Sequence, residues 1–256
     1  MRAALAAVAL AACGRVGFEP QRVLAGDAAT IGDAPPPVVD APSPVVDAMG
    51  LPTGPALWLK METDPGTGIV DSVGSHVTTC TGAFCPASIT GLHGRSYRFT
   101  GQELDVAYAA DLDASHGFTA ALWVQLIALP TTESACVFNM PFNDANGWDT
   151  FAICIDVGGA TQFDSETPTG NADLETGPTI ALAVWHHLAQ SWDGTTKRGY
   201  LDGVEVASKV IAVGVGTQAP TIGGSRGAFF LTGTIDDAMY YTRALSAAEV
   251  AQLATP

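Results

Sequence analysis

Positive charge is scarce in this chain: 11 Lys and Arg stand against 26 Asp and Glu in 256 residues, a formal net charge of -15. A surface so acidic repels phosphate backbones and anionic lipid head groups, which excludes nucleic acid as a partner and leaves a divalent cation admissible. No apolar run reaches the ~18 residues that cross a bilayer as a helix. There is no Cys-x2-Cys pair for a zinc site and no His-Glu-x-x-His for a zinc protease. Charged residues are only 14%, against 47% hydrophobic residues and 28 Gly. That mixture excludes a disordered chain and suits a well-buried β protein with many tight turns.

At the N-terminus, Arg2 supplies a minimal positive end, Ala3 to Ala12 are apolar, and Leu10-Ala11-Ala12-Cys13 closes the run. Too short to span a bilayer, this segment reads as an export signal. Leu-Ala-Ala-Cys resembles the bacterial lipobox, so residues 1–13 are expected to be a lipoprotein signal. Cys13 is then the acylated anchor and the sole hold on a membrane. Five cysteines are an odd count for an exported protein, and assigning Cys13 to lipid leaves four. Of the three possible connectivities, local pairing is the economical one. It joins Cys80 to Cys85 within a Thr/Gly/Pro-bearing loop, and Cys136 to Cys154 across two apolar runs divided by a polar turn.

Residues 14–52 are rich in Pro, Ala, Val and Asp, and Pro-Val-Val-Asp-Ala occurs at Pro37 and again at Pro44. Proline favours extended geometry without backbone donors, and the aspartates repel one another, so this stretch is expected to be a disordered tether. From residue 53 to residue 256 the texture changes to short apolar or alternating runs punctuated by Gly, Asp-Gly and Pro, the pattern of an all-β sandwich. Phe118, Ala120, Leu122, Val124 and Leu126 fall on one face by the two-residue period, which should enter the core. Asp193-Gly194 and Asp202-Gly203 make Trp185 to Ser208 a three-strand meander. Further strands are expected around Leu57, Ser96, Leu104, Ala135, Thr150, Thr161, Pro220 and Gly233. Ser246 and Glu249 form a capping box, flanked by Leu245 and Val250 as a staple, that opens a short helix from Ala247 to Leu253.

Three stretches in order carry a resemblance. They are Phe118-Thr-Ala-Ala-Leu-Trp123-Val; Trp185-His-His-Leu-Ala-Gln-Ser-Trp-Asp193-Gly194, running on into Gly199-Tyr200-Leu-Asp202-Gly203; and Ile222-Gly223-Gly224 with Gly233-Thr-Ile-Asp236-Asp-Ala-Met-Tyr-Tyr-Thr-Arg243-Ala-Leu-Ser246. Together they resemble the laminin G-like branch of the concanavalin A-like lectin/glucanase superfamily. The resemblance implies a two-sheet antiparallel jelly roll over about Leu57 to Leu253. It also implies, for some members, a structural calcium held by an Asp in the last strand and oxygens from the start of the domain. Asp236 matches that Asp, and Glu62 and Asp71 are the acidic candidates to complete a shell of six to eight oxygens.

Other patterns carry less. Phe142 to Gly147 reads as a hairpin tip, because Phe142 offers no oxygen where a calcium loop needs its first ligand. Asp111 and Asp113 read as a solvated turn. Gly214 to Ala219 has dinucleotide-like glycines but leads into Pro220 and a strand, not a helix. His186 and His187, adjacent in a strand, point to opposite faces and cannot share a metal. Trp123, Trp148, Trp192, Tyr108 and Tyr240 are available for stacking on sugars or for core packing. The Glu-x-Asp-x-x-Glu arrangement of glycan-cleaving relatives is missing, so no catalytic residues are assigned. The expectation is a non-catalytic recognition or adhesion module, lipid-anchored at the cell envelope, at the outer membrane, or secreted, that binds glycan or an envelope or extracellular protein. The alternatives are a divergent glycan-active enzyme and a structural envelope protein.

Overall fold

The computed structural model of the chain describes residues 50–80, 84–143 and 147–256, for Asn143 and Trp148 the backbone alone. The expected signal, Cys13 and the tether up to residue 49 lie outside those residues.

The described residues build two stacked antiparallel sheets. One, of seven strands, runs in the spatial order β10 (Ala172–Thr179), β9 (Ala160–Glu166), β8 (Trp148–Ile155), β7 (Ala135–Asn143), β14 (Thr221–Ile222), β5 (Leu104–Val106) and β2 (Thr78–Thr79). The other, of eight, runs β13 (Val204–Val210), β12 (Thr196–Leu201), β11 (Trp185–Trp192), β6 (Phe118–Leu126), β15 (Thr232–Tyr241), β4 (Arg95–Thr100) and β3 (Ala87–Thr90). Its eighth strand, β1 (Leu57–Leu59), pairs with the far end of β15. This is a jelly-roll sandwich.

The even-numbered apolar side chains of β6 are fully buried between the sheets. Phe151 of β8 sits at the centre of an aromatic stack, 5.1 Å from Phe118, 5.3 Å from Phe138 and 5.9 Å from Tyr240 between ring centroids. At one edge the buried ammonium of Lys197, on β12, crosses to the other sheet, donating to the Phe163 carbonyl at 3.1 Å and to Asp173 Oδ1 at 2.8 Å. A charge so placed is tolerable only because its donors are met. The β12–β13 turn has the two positive φ values that a two-residue hairpin demands, 50° at Asp202 and 78° at Gly203.

The short helix α1 (Ala247–Leu253) opens with its capping box: Ser246 accepts from the Glu249 N–H and Glu249 Oε2 from the Ser246 N–H. Its Val250 and Leu253 lie on Trp58, Ala121, Tyr200, Met239 and Tyr241, so the outer side of the eight-stranded sheet is itself a small core. β6 is therefore buried on both faces.

β2, β3 and β10 carry no periodic signal. β10 is an edge strand of mostly exposed residues containing Gly177 and Pro178, a composition that only an edge permits. Cys80 is bonded to Cys85 and Cys136 to Cys154. Among the described residues no helix is long and apolar enough to cross a membrane.

Because Phe151 is fully buried and three rings rest on it, Phe151→Ala should cost about 3 to 5 kcal/mol in equilibrium urea unfolding. A loss under about 1 kcal/mol would contradict the stacked-sheet core.

Candidate functional site

The two sheets differ in what their outer faces carry. The eight-stranded sheet is covered by α1, while β7, β8 and β9 of the other sheet present polar side chains to a cavity of about 300 Å³. On β9 the alternation places Phe163 and Ser165 inward and Gln162, Asp164 and Glu166 outward. β8 needs a device to match this. Met140 of β7 is opposite Phe151, but the next residue, Pro141, is opposite Asp149, which leaves Thr150 as the extra residue of a β-bulge. In a regular strand Asp149 would share the inward face of Phe151; the bulge turns it out toward Glu166 instead.

Asp149, Asp164 and Glu166 bring carboxylate oxygens within 4.8 Å of one another. Arg226, from the β14–β15 loop, closes on Asp149 Oδ1 at 2.6 Å. The backbone N–H of Asp149 donates to Glu166 Oε2. That spacing would suit a shared cation, and the guanidinium already supplies one. Beneath the loop, Asn139 donates to Ser225 Oγ at 2.9 Å and accepts from Thr221. Arg226 and Phe229 hold positive φ, 52° and 51°, a strained geometry for residues with side chains and one often met at binding sites. Phe229 stays 39% exposed on the cavity wall. The Cys136–Cys154 disulfide joins β7 to β8 on the same face.

Burial leaves these carboxylates short of solvation. It pushes Asp149 up to about 6 against the pull of Arg226. It pushes Glu166 up to about 7, helped by the charges of Asp164 and Asp149 and opposed by the Asp149 N–H. Asp164 is raised by the same burial, opposed by Lys197.

The calcium set expected from the sequence does not converge among the described residues. Asp236 Oδ2 accepts the N–H groups of Leu92 and His93, both at 3.0 Å, while its buried Oδ1 has no partner among the described residues; burial pushes this carboxyl up to about 7. Asp71 is taken up by the Trp58 and Val73 N–H groups and by His76 Nδ1 at 2.7 Å, and Glu62 by the Arg95 N–H. Asp236 and Glu62 both hold the β3–β4 turn and Asp71 holds the loop after β1, and the three are not among the acidic side chains that come within 4.8 Å of one another in the described residues.

Other candidates fall elsewhere. Asp111 reaches His76 Nε2 at 3.0 Å, and Asp113 caps Ser115. His186 pairs with Asp202 at 2.9 Å, while His187 lies buried beside Trp123, its pKa lowered to about 4 by burial. Trp123, Trp192 and Tyr240 are buried, Tyr108 is half-buried, and the Trp148 side chain lies outside the described residues. Among the described residues that line the cavity on the seven-stranded sheet, the aromatic ring is that of Phe229. Gly223-Gly224-Ser225-Arg226-Gly227 satisfies Gly-x-Ser-x-Gly in letters. It lies between two strands, and Ser225 Oγ accepts from Asn139 with no His against it, so it is not a nucleophile elbow.

Residues 99–251 match the family model Laminin_G_3, described as the concanavalin A-like lectin/glucanases superfamily. No curated protein gives a match. Among solved structures, the binding domain of Paraclostridial Mosquitocidal Protein 1 superposes with a TM-score of 0.64 at 16% identity, covering 78% of this chain and 51% of that one. Domain 4 of AbnA, a GH43 extracellular arabinanase from Geobacillus stearothermophilus, in complex with arabinotriose, gives 0.59 at 22% identity, covering 78% and 98%. A Trypanosoma rangeli sialidase with 2,3-difluorosialic acid gives 0.65 at 17%, covering 82% of this chain but only 35% of the enzyme. The chain thus spans about half of the first of these and about a third of the sialidase. At these identities the likeness is one of fold.

Glu166 is raised from 4.5 to about 7, so between those values the folded chain keeps a proton that the unfolded chain releases, and stability falls as pH rises through that window. Glu166→Gln removes this loss. At pH 8 the variant should melt about 2 to 4 °C above wild type, equivalent to about 1 kcal/mol, with the advantage vanishing near pH 4. An unchanged or lower Tm at pH 8 would show that the carboxylate is well solvated.

Proposed function

The chain belongs to the concanavalin A-like lectin/glucanases superfamily, and from that premise we propose that it is a non-catalytic glycan-recognition module whose ligand lies on the open face of the seven-stranded sheet. The observation that carries this reading is the cavity in which Asp149, Asp164, Glu166 and Arg226 stand beside the exposed ring of Phe229. Carboxylates and a guanidinium offer directional hydrogen bonds to hydroxyls, and an aromatic face offers apolar cover to the C–H side of a sugar ring. The arabinotriose held by a domain of similar fold and size lends support.

The same geometry argues against turnover. A glycosidase needs one carboxyl free to give a proton and another free to meet the anomeric carbon or a water. Here Asp149 is tied to Arg226, and Glu166 accepts a backbone N–H. One observation favours an enzyme: Glu166 at about 7 would suit a general acid. The surface attachment expected through Cys13 is part of the proposal, and two disulfides among the described residues suit an exported protein.

Affinity electrophoresis against a polysaccharide panel that includes arabinan tests this reading. Retention by a glycan should weaken about tenfold or more in Asp164→Asn and in Phe229→Ala, without reducing ends appearing. Release of reducing ends that Glu166→Gln abolishes would establish the enzyme instead, and retention unchanged in both variants would place the ligand elsewhere. Separately, Cys13→Ala should move the protein from the membrane to the soluble fraction of the producing cell; continued membrane retention would overturn the anchor.

A further inference from the structure

On the other side of the sandwich, between α1 and the β3–β4 turn, lies a second cavity of about 480 Å³, within the size range of small-molecule sites. Its floor is apolar, formed by Met239, Leu253 and the ring of Trp58, and its wall carries Lys60, Glu62, His93 and Asp237. What distinguishes it is which of those charges are already engaged.

The acids are committed to holding the turn. A second bulge, in β15, leaves Asp237 at φ 46° beside Asp236. Asp237 Oδ1 accepts from Trp58 Nε1 and Oδ2 from His93 Nδ1, both at 2.7 Å. Asp236 takes the two N–H groups at the tip of the turn, and Glu62 Oε2 takes the Arg95 N–H at 3.1 Å. The bases are not committed. Lys60 Nζ rests 3.9 Å above the Trp58 ring and, among the described residues, forms no ion pair. His93 Nε2 has no hydrogen bond among them either, because Asp237 fixes the ring through its other nitrogen. An ammonium held against an indole face and a histidine nitrogen therefore open onto an apolar floor, with the neighbouring carboxylates already supplied with donors.

We propose that this cavity binds a carboxylate borne on a short apolar body, with Lys60 as its cation and Trp58, Met239 and Leu253 receiving the apolar part. The site is independent of the glycan face, from which it is separated by both sheets.

The test is an amide-detected NMR titration of the full chain with hexanoate, hexylammonium and 1-hexanol. Hexanoate should give saturable shifts at Lys60, His93 and Leu253, with an affinity about tenfold or more above that for the other two, as one charge-assisted contact provides. Lys60→Gln should lose that advantage and Lys60→Arg should keep most of it, each checked for the native spectrum. Equal affinity for hexylammonium, wild-type binding by Lys60→Gln, or no saturable shift with hexanoate would each overturn the proposal. The ligand series on the unaltered chain decides the question even if a variant fails to fold.

Discussion

Three carboxylates share one guanidinium on the open face of the seven-stranded sheet, and that imbalance organises the chemistry of this molecule. Asp149, Asp164 and Glu166 are drawn together by strand pairing and cannot spread apart. Arg226 bonds Asp149, yet burial raises the pKa of all three carboxyl groups, Asp149 included. Groups with unmet hydrogen-bonding capacity, beside an exposed aromatic ring, have more to gain from a polyhydroxylated ligand than a fully solvated surface has.

The fold creates this arrangement through asymmetry. One sheet closes its outer face with α1, whose capping box and staple fix where the helix begins, and so buries Trp58, Tyr200 and Tyr241. Among the described residues the other sheet has no such cover over β7 to β9. Its face is stiffened by the Cys136–Cys154 cross-link and shaped by the extra residue at Thr150, and the β14–β15 loop delivers Arg226 and Phe229 from positive-φ positions. The same logic recurs on the opposite side, where a bulge at Asp237 sets the β3–β4 turn.

Much of the sandwich was legible in the sequence because its signals are local. The two-residue period of Phe118 to Leu126, the Asp202-Gly203 turn and the Ser246/Glu249 box each act over a few residues, and each sits where its chemistry places it. The edge strand β10 was illegible, since an edge needs no apolar alternation. The carboxylate cluster was hidden for a different reason. Asp164 and Glu166 share a strand face by spacing alone, but Asp149 joins them only through a bulge that nothing in its neighbours announces, and Arg226 comes from a remote loop. In the calcium set, Asp236 came from resemblance and Glu62 and Asp71 from their place near the start of the domain; Asp236 and Glu62 both serve the β3–β4 turn, while Asp71 serves the backbone around Trp58. Aromatic residues named by type could not be sorted by exposure, because that depends on which sheet the helix covers.

The most direct test of this account is a carbon-detected NMR titration of the side-chain carboxyl groups. The account requires Glu166 to titrate near 7 and Asp149 near 6, well above the ordinary carboxylate range near 4. If Asp149, Asp164 and Glu166 all titrated near 4, the face would be an ordinary solvated surface, and the recognition site would have to be sought elsewhere.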